Sequence, residues 1–309
     1  MTPALRVEGL AKSYGEIRAL DAVGFEVERG EVFGLLGPNG AGKSTTIEIL
    51  EGFVRRDAGT VEVLGVDPGD PRQLPGLRTR IGVVLQELAV EPFFTVRQVL
   101  ERNAGFYPNP RPVDEVIELV GLSEKRDAKI KRLSGGQQRR LDIGLGIIGN
   151  PELLFLDEPT TGLDPAARRT TWDLIRLLAS EGTTVVMSSH YMDEVEALAG
   201  RVAVLSRGRV AALSTTTSLG GRDRGEATIR FTLPAGVAVS DLPVTVSRVD
   251  GDAVEVRTAH EVDDLHALTG WARERGLASL GLRVTRETLE DIYLALTGPE
   301  GGESARSEP

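Results

Sequence analysis

The stretch that most limits how this chain can fold is "VFGLLGPNGAGKSTTIEIL", residues 32 to 50. A strand-sized apolar run enters a glycine-rich loop, and Ile47, Leu50 and Val54 then recur at helical spacing. Strand, glycine loop, helix is the expected order. Within it Gly37, Gly42, Lys43 and Ser44 satisfy G-x-x-x-x-G-K-[ST] in the required context. The pattern calls for glycine because the backbone must wrap closely round a phosphate with successive N–H groups pointing inward. Lys43 brings charge to the β and γ phosphates, and the Ser44 hydroxyl suits Mg²⁺. Lysine is scarce in the chain, occurring only at 12, 43, 125, 129 and 131, so its place in this loop carries weight.

Further along, "ELLFLDEP", "TTVVMSSH" and "RVAVLSRGRV" are short and almost wholly apolar, with helical stretches between them. Such runs mark a parallel sheet covered on both faces. The first ends in two acids, which places Asp157 at the carboxyl end of the sheet beside the phosphate loop. Successive side chains on a strand diverge. Asp157 is therefore expected to turn toward a metal and Glu158 toward an attacking water as general base. A second anion signal lies in "KRLSGGQQRRL", residues 131 to 141, where Ser134, Gly135, Gly136 and Gln137 open a helix. First-turn N–H groups lack partners within their helix, so this reads as half of a phosphate site whose other half lies elsewhere.

The chain is long enough for one large domain and a smaller one, at 309 residues with 40% hydrophobic and 27% charged content. Residues 4 to 36 read as short strands, and helical patterning from Arg97 to Val120 suggests an inserted helical subdomain. After Ser214 "STTTSLGGRDRGE" reads as a linker. A second unit follows, with strands "ATIRFTLP", "VTVSRV", "AVEVRTA" and "LGLRVTR", a helix over "VDDLHALTGWARERG" and a closing helix "TLEDIYLALTG". The last residues are polar and expected to be disordered.

No apolar run approaches the roughly 20 residues of a membrane span. The N-terminus lacks the pattern of a secretory signal, and the absence of cysteine (Cys 0) suits the cytoplasm. A net charge of −10 argues against nucleic acid as partner. Arg139, Arg140, Arg168 and Arg169 read as a solvated helix face.

Together the motifs resemble the nucleotide-binding subunit of ATP-binding cassette (ABC) transporters, in that family's order and over about residues 4 to 213. "LSGGQ" is similar to its signature motif. The resemblance implies an α/β fold, a P-loop NTPase ABC nucleotide-binding domain over 1–213. It would have a mixed sheet core, an antiparallel β subdomain and a helical subdomain near 87–150, then a linker over 214–225. A small α+β C-terminal domain over 226–297 and a disordered tail over 298–309 would complete the chain. It implies that Gly37, Pro38, Asn39, Gly40, Ala41, Gly42, Lys43, Ser44 and Thr45 hold ATP, with Mg²⁺ at Ser44, Gln86 and Asp157. Ser134, Gly135, Gly136 and Gln137 would reach the γ-phosphate held by the opposite subunit, so two chains sandwich two nucleotides head to tail. Gln86 resembles the Q-loop glutamine and His190 the switch histidine that orients water, acting in catalysis with Glu158 and Lys43. Asp164 in "TGLDP" is similar to the D-loop aspartate at the dimer interface, and Tyr14 to the aromatic that stacks on adenine. Gln98 in "TVRQVL" departs from the family, where glutamate is frequent in the segment facing the membrane partner.

The single cassette and short C-terminal unit look like daunorubicin-resistance-type drug and antibiotic exporters. The implied activity is ATP hydrolysis, coupled to a separate integral-membrane permease. The chain would pair with itself or with a similar subunit at the cytoplasmic face of the membrane. The rival reading, a soluble ABC ATPase switch on ribosomes or DNA, is disfavoured by acidity and by the lack of a second cassette or long coiled coil.

Overall fold

A computed structural model describes residues 2–84, 90–216, 218, 227–234, 236–277 and 280–286. Gln86, most of the expected linker, the closing helix over 288–298 and the tail lie outside the described residues. The chain divides into two compact units, Met1–Thr216 and Thr217–Pro309.

The first unit is built round a six-stranded sheet in the order β5-β6-β7-β3-β8-β9. Its strands are β3 (Val32–Leu36), β5 (Ile81–Val84), β6 (Leu153–Asp157), β7 (Thr184–Ser189), β8 (Arg201–Ser206) and β9 (Arg209–Thr215). β3, β5, β6, β7 and β8 run parallel, and every residue of β3 and β7 is buried, as both-face coverage demands. "RVAVLSRGRV" proves to be two strands rather than one. Arg207 (φ 50) and Gly208 (φ 75) take left-handed backbone, which turns the chain so that β9 adds antiparallel to β8 at the sheet edge.

A second sheet, in the order β2-β1-β4, is antiparallel and comprises β1 (Leu5–Tyr14), β2 (Ile17–Val27) and β4 (Ala58–Val63). Alternating residues such as Leu5 and Val7 are buried, and they join Phe25, Phe33, Ile47 and Phe155 in one hydrophobic cluster. The helices are α1 (Lys43–Leu50), α2 (Leu74–Arg78), α3 (Val96–Ala104), α4 (Val113–Leu119), α5 (Gly135–Ile147), α6 (Pro165–Ser180) and α7 (Met192–Leu198). α3, α4 and α5 pack on one another, while α6 and α7 lie against β7. At the start of α3, Gln98 accepts the Thr95 N–H at 3.0 Å and the Thr95 hydroxyl accepts the Gln98 N–H at 3.2 Å. Glutamine and glutamate both serve that reciprocal cap, so the departure at 98 keeps the capping box intact.

The second unit is a four-stranded antiparallel sheet, β11-β12-β10-β13, with a helix. Its elements are β10 (Ala227–Thr232), β11 (Arg248–Asp250), β12 (Ala253–Thr258), α8 (Glu261–Glu274) and β13 (Arg283–Arg286). Ile229, Phe231, Val254, Val256, Leu268 and Trp271 form its core. The strand expected over "VTVSRV" is shorter, since only Arg248 and Val249 of it pair, in β11. Likewise "LGLRVTR" is strand only from Arg283.

Candidate functional site

Register brings the site together. In the parallel sheet Leu36 is paired with Ser189, and Asp157 with Ser188. The segments leaving β3, β6 and β7 therefore emerge side by side at the carboxyl edge, where open α/β sheets bind ligands. These segments carry the phosphate loop, Glu158 and His190.

The loop after β3 turns into α1 through Gly42, whose φ of 104 lies in the left-handed region. A Cβ there would also stand 2.6 Å from Leu20 Cδ2 and 2.8 Å from the Ala19 carbonyl, so only glycine fits. No side chain caps α1. By contrast α3, α5 and α6 are capped by Thr95, Ser134 and Asp164. The uncapped helix end suits an anion, because its first-turn N–H groups and dipole both attract one. Lys43 is 6% exposed and its Nζ donates to the carbonyls of Gly37 at 2.8 Å and Pro38 at 3.2 Å. Burial pulls the ammonium pKa down, opposed by the charges of Glu158 and Asp157. A phosphate against that ammonium would relieve the penalty of burying it.

Ser44 Oγ donates to Asp157 Oδ2 at 3.2 Å, and Ser188 Oγ donates to the other oxygen of Asp157. Ser188 Oγ also accepts the Glu158 N–H at 3.0 Å. Glu158 has a φ of 47, a conformation that costs a side-chain-bearing residue roughly 1–2 kcal/mol. That twist separates its side chain from that of Asp157. Glu158 Oε1 meets His190 Nδ1 at 3.0 Å, and Oε2 accepts the Thr161 hydroxyl at 3.1 Å. Burial pushes the Glu158 carboxyl up, but hydrogen bonds from His190 and Thr161 and the charge of Lys43 outweigh it, and it sits below its ordinary value. At neutral pH it is an ionised acceptor.

The arginines expected to form a solvated helix face do not do so. Arg139 is 9% exposed, and from α5 it donates to the carbonyls of Asp157, Glu158 and Pro159 and to Asp142 Oδ2. It pins the backbone that presents both acids. Arg140 donates to the carbonyls of Val120 and Gly121, Arg168 pairs with Asp193, and Arg169 is exposed. A run written "QRRL" conceals this, because helical neighbours face different ways.

Ser134 opens α5: its hydroxyl accepts the Gln137 N–H at 3.3 Å, and its own N–H donates to Gln137 Oε1 at 2.9 Å. Ser134 and Gly135 are exposed. A Cβ at Gly136 would lie 3.1 Å from Ala167 Cβ, so α5 starts close against α6. Asp164 caps α6, accepting the N–H groups of Ala166 and Ala167 at 2.9 Å each. Tyr14 ends β1, 46% exposed, with Lys12 Nζ 5.3 Å from its ring centroid. Such an exposed ring is available for stacking.

The family model for ABC transporters matches residues 20–161, and a model for the C-terminal domain of ABC transporter domain-containing proteins matches 227–288. Over 96% of its length the chain is 39% identical to the daunorubicin resistance ATP-binding protein DrrA3 of Streptomyces coeruleorubidus, covering 96% of that protein. This chain belongs to the ABC transporter ATP-binding family.

As an ABC transporter ATP-binding protein it is an ATPase, the ATP-hydrolysing subunit of a transporter. It is also 35% identical to the linearmycin resistance ATP-binding protein LnrL of Bacillus subtilis (strain 168), over 95% of this chain and 98% of that protein. The dimeric cassette MJ0796, in a post-hydrolysis state bound to ADP and Pi, superposes with a TM-score of 0.62 at 26% identity, over 68% of this chain and 98% of that one. ATP-binding subunits of ABC transporters dimerise and pair with membrane permeases. Among the described residues no helix is long and apolar enough to cross a membrane.

One buried acid near the site gives a pH-dependent expectation for this ATPase. Glu51, following α1, is 2% exposed, and burial, with the charges of Asp157 and Glu48, pushes its carboxyl up to about 8. Unfolded, the group ionises near 4.5. Between those values the folded chain keeps a proton that the unfolded chain has lost. Its stability is thus full below pH 4.5 and falls as pH rises toward 8, by up to about 1.4 kcal/mol per pH unit. Glu51→Gln should melt close to wild type at pH 4.5 and several degrees higher at pH 8. Parallel melting curves across that range would show the group to be ordinary.

Proposed function

We propose that the chain drives an exporter of drugs, antibiotics or other lipophilic compounds through a separate permease at the cytoplasmic face of the membrane. The names of the antibiotic-resistance relatives support the cargo class, since they match this chain from end to end. The cassette boundaries expected from composition, 1–213 with a linker over 214–225, belong to the same reading.

The observation that carries the catalytic part is the meeting of Glu158 Oε1 and His190 Nδ1 at 3.0 Å beside Lys43 and the Ser44–Asp157 pair. Residues 37–45 wrap the phosphates and Lys43 neutralises them. Two hard oxygen donors, Ser44 Oγ and Asp157 Oδ2, stand 3.2 Å apart where a cation could bridge them, and they fit Mg²⁺, which takes few protein ligands and completes its shell with phosphate and water. Bound there, the ion would neutralise charge between the β and γ phosphates. Glu158 accepts a proton from the attacking water as general base, and His190 holds that water and the γ-phosphate. Because Glu158 is held ionised, it is a modest base, and positioning and charge stabilisation supply most of the rate.

Ser134, Gly135, Gly136 and Gln137 act on the nucleotide of the opposite subunit, with Asp164 at the interface and Tyr14 on adenine. An exposed signature next to a capped α6 supports that trans arrangement. Gln86, the expected sensor of ion and permease, is assigned from sequence alone. The working pair is two copies of this chain or this chain with a similar one.

The test is affinity capture of tagged Glu158→Gln chain from detergent-solubilised membranes of its own host with ATP present. An integral-membrane partner with several membrane-spanning helices, each of roughly 20 apolar residues, is the expected result. Ribosomal or DNA-bound partners without a membrane protein would overturn the exporter reading and leave the ATPase intact.

A further inference from the structure

One buried acid without a role so far occupies the crossing point of the segments that bear Glu158 and His190. Glu194, in the first turn of α7, is 0% exposed. Its Oε1 accepts the Thr160 hydroxyl at 2.7 Å and the Trp172 indole N–H at 3.3 Å, and its Oε2 accepts the Ser189 hydroxyl at 2.7 Å. Thr160 and Trp172 donate to one oxygen, and the Ser189 hydroxyl, which also lies 3.2 Å from the Tyr191 carbonyl, has its shorter contact with the other. An amide, acceptor on one side and donor on the other, cannot reproduce that set without reversing a hydroxyl.

The three donors belong to three different elements. Ser189 precedes His190, and its hydroxyl also accepts the Tyr191 N–H at 2.9 Å. The carboxylate thereby grips the backbone on both sides of the histidine. Thr160 stands two residues beyond Glu158, in the turn that its left-handed backbone initiates. Trp172 lies in α6, the helix capped by Asp164. Burying a carboxylate carries a large desolvation penalty, and an aliphatic side chain would fill the same space without it. What an aliphatic residue could not do is join these donors.

We propose that Glu194 is a positioning residue for hydrolysis: by holding Thr160, Ser189 and Trp172 to one point, its carboxylate sets Glu158 against His190. The inference rests on the roles proposed above for that pair. None of the three donors belongs to the phosphate loop or to Tyr14, so Glu194 should govern turnover and leave nucleotide binding alone. A misplacement of about 1 Å in such a pair is enough to cost about a hundredfold.

Steady-state ATP turnover by the purified full chain, with KM and kcat separated, tests this. Glu194→Gln should lower kcat about ten- to a hundredfold while KM for ATP stays within about threefold of wild type. Turnover within about twofold of wild type would overturn the inference, as would a raised KM at unchanged kcat. Glu158→Gln and His190→Ala are measured beside it. If both controls turn over normally, the roles of the pair fail and the positioning role falls with them. If the controls are inactive and Glu194→Gln is active, only the positioning role falls. Should Glu194→Gln not fold, Thr160→Val and Ser189→Ala each cut one arm of the network and are judged by the same split between kcat and KM.

Discussion

Glu158→Gln is expected to bind ATP as the wild type does and to hydrolyse it at least about a hundredfold more slowly, the usual scale for losing a positioned base. The substitution changes little else. The new side-chain amide can still accept from Thr161, and the backbone stays held by Ser188 and Arg139. The phosphate loop and Lys43 are untouched, so binding survives while the proton acceptor is gone. With ATP the variant should accumulate as a dimer that the wild type forms only transiently. Single-turnover hydrolysis and size-exclusion chromatography with ATP measure both effects, and unchanged turnover would remove Glu158 from the mechanism.

Arg139→Met should destabilise the fold strongly, costing about 3–5 kcal/mol. Its guanidinium donates to carbonyls at 157, 158 and 159 and to the buried Asp142. Methionine fills the space and leaves those acceptors without that donor. Asp142, which burial pushes up to about 6 against the pull of Arg139, would rise further. As a raised acid it favours the folded state at low pH and loses that advantage as pH climbs, so the variant should fare worst at alkaline pH. Adding Asp142→Leu should return part of the melting temperature, because a buried ion pair is often replaced by apolar contact with little loss of stability. It should not return turnover, since the three carbonyls beneath the acids still lack their clamp. Recovery of both would reduce Arg139 to one half of a salt bridge.

These two residues show what can be read from a linear string and what cannot. Glu158 is legible because strand, acid pair and glycine loop are local patterns with a direct chemical meaning. Lys43, Ser44 and Asp157 are legible for the same reason, and parallel register brings their segments together as the apolar runs imply. Arg139 reads as surface because "QRRL" holds nothing that distinguishes an arginine facing β6 from one facing water. Ser188 and Glu194 are silent for a related reason. Their partners lie about thirty positions away, at Asp157 and Thr160, and only the pairing of β6 with β7 makes them neighbours. The hairpin of β8 and β9 is signalled by the polar stretch Ser206, Arg207, Gly208 and Arg209, which reading "RVAVLSRGRV" as one run passes over, and left-handed backbone at Arg207 and Gly208 makes the turn. The signature segment reads as half of an anion site because a serine and two glycines open a helix, but the reciprocal cap between Ser134 and Gln137, which occupies one of the first-turn N–H groups, emerges only from the fold.

The left-handed backbone at Glu158 has an evolutionary consequence. At such a position glycine relaxes the chain, and asparagine or aspartate tolerates it better than glutamate does. Any selection for robustness alone, whether in a heated culture or in a consensus-minded redesign, would therefore drift toward replacing the carboxylate proposed as the general base. Only a screen for turnover, repeated in every generation, opposes that drift. Persistence of glutamate at this position in a lineage would record a history of pumping rather than of folding.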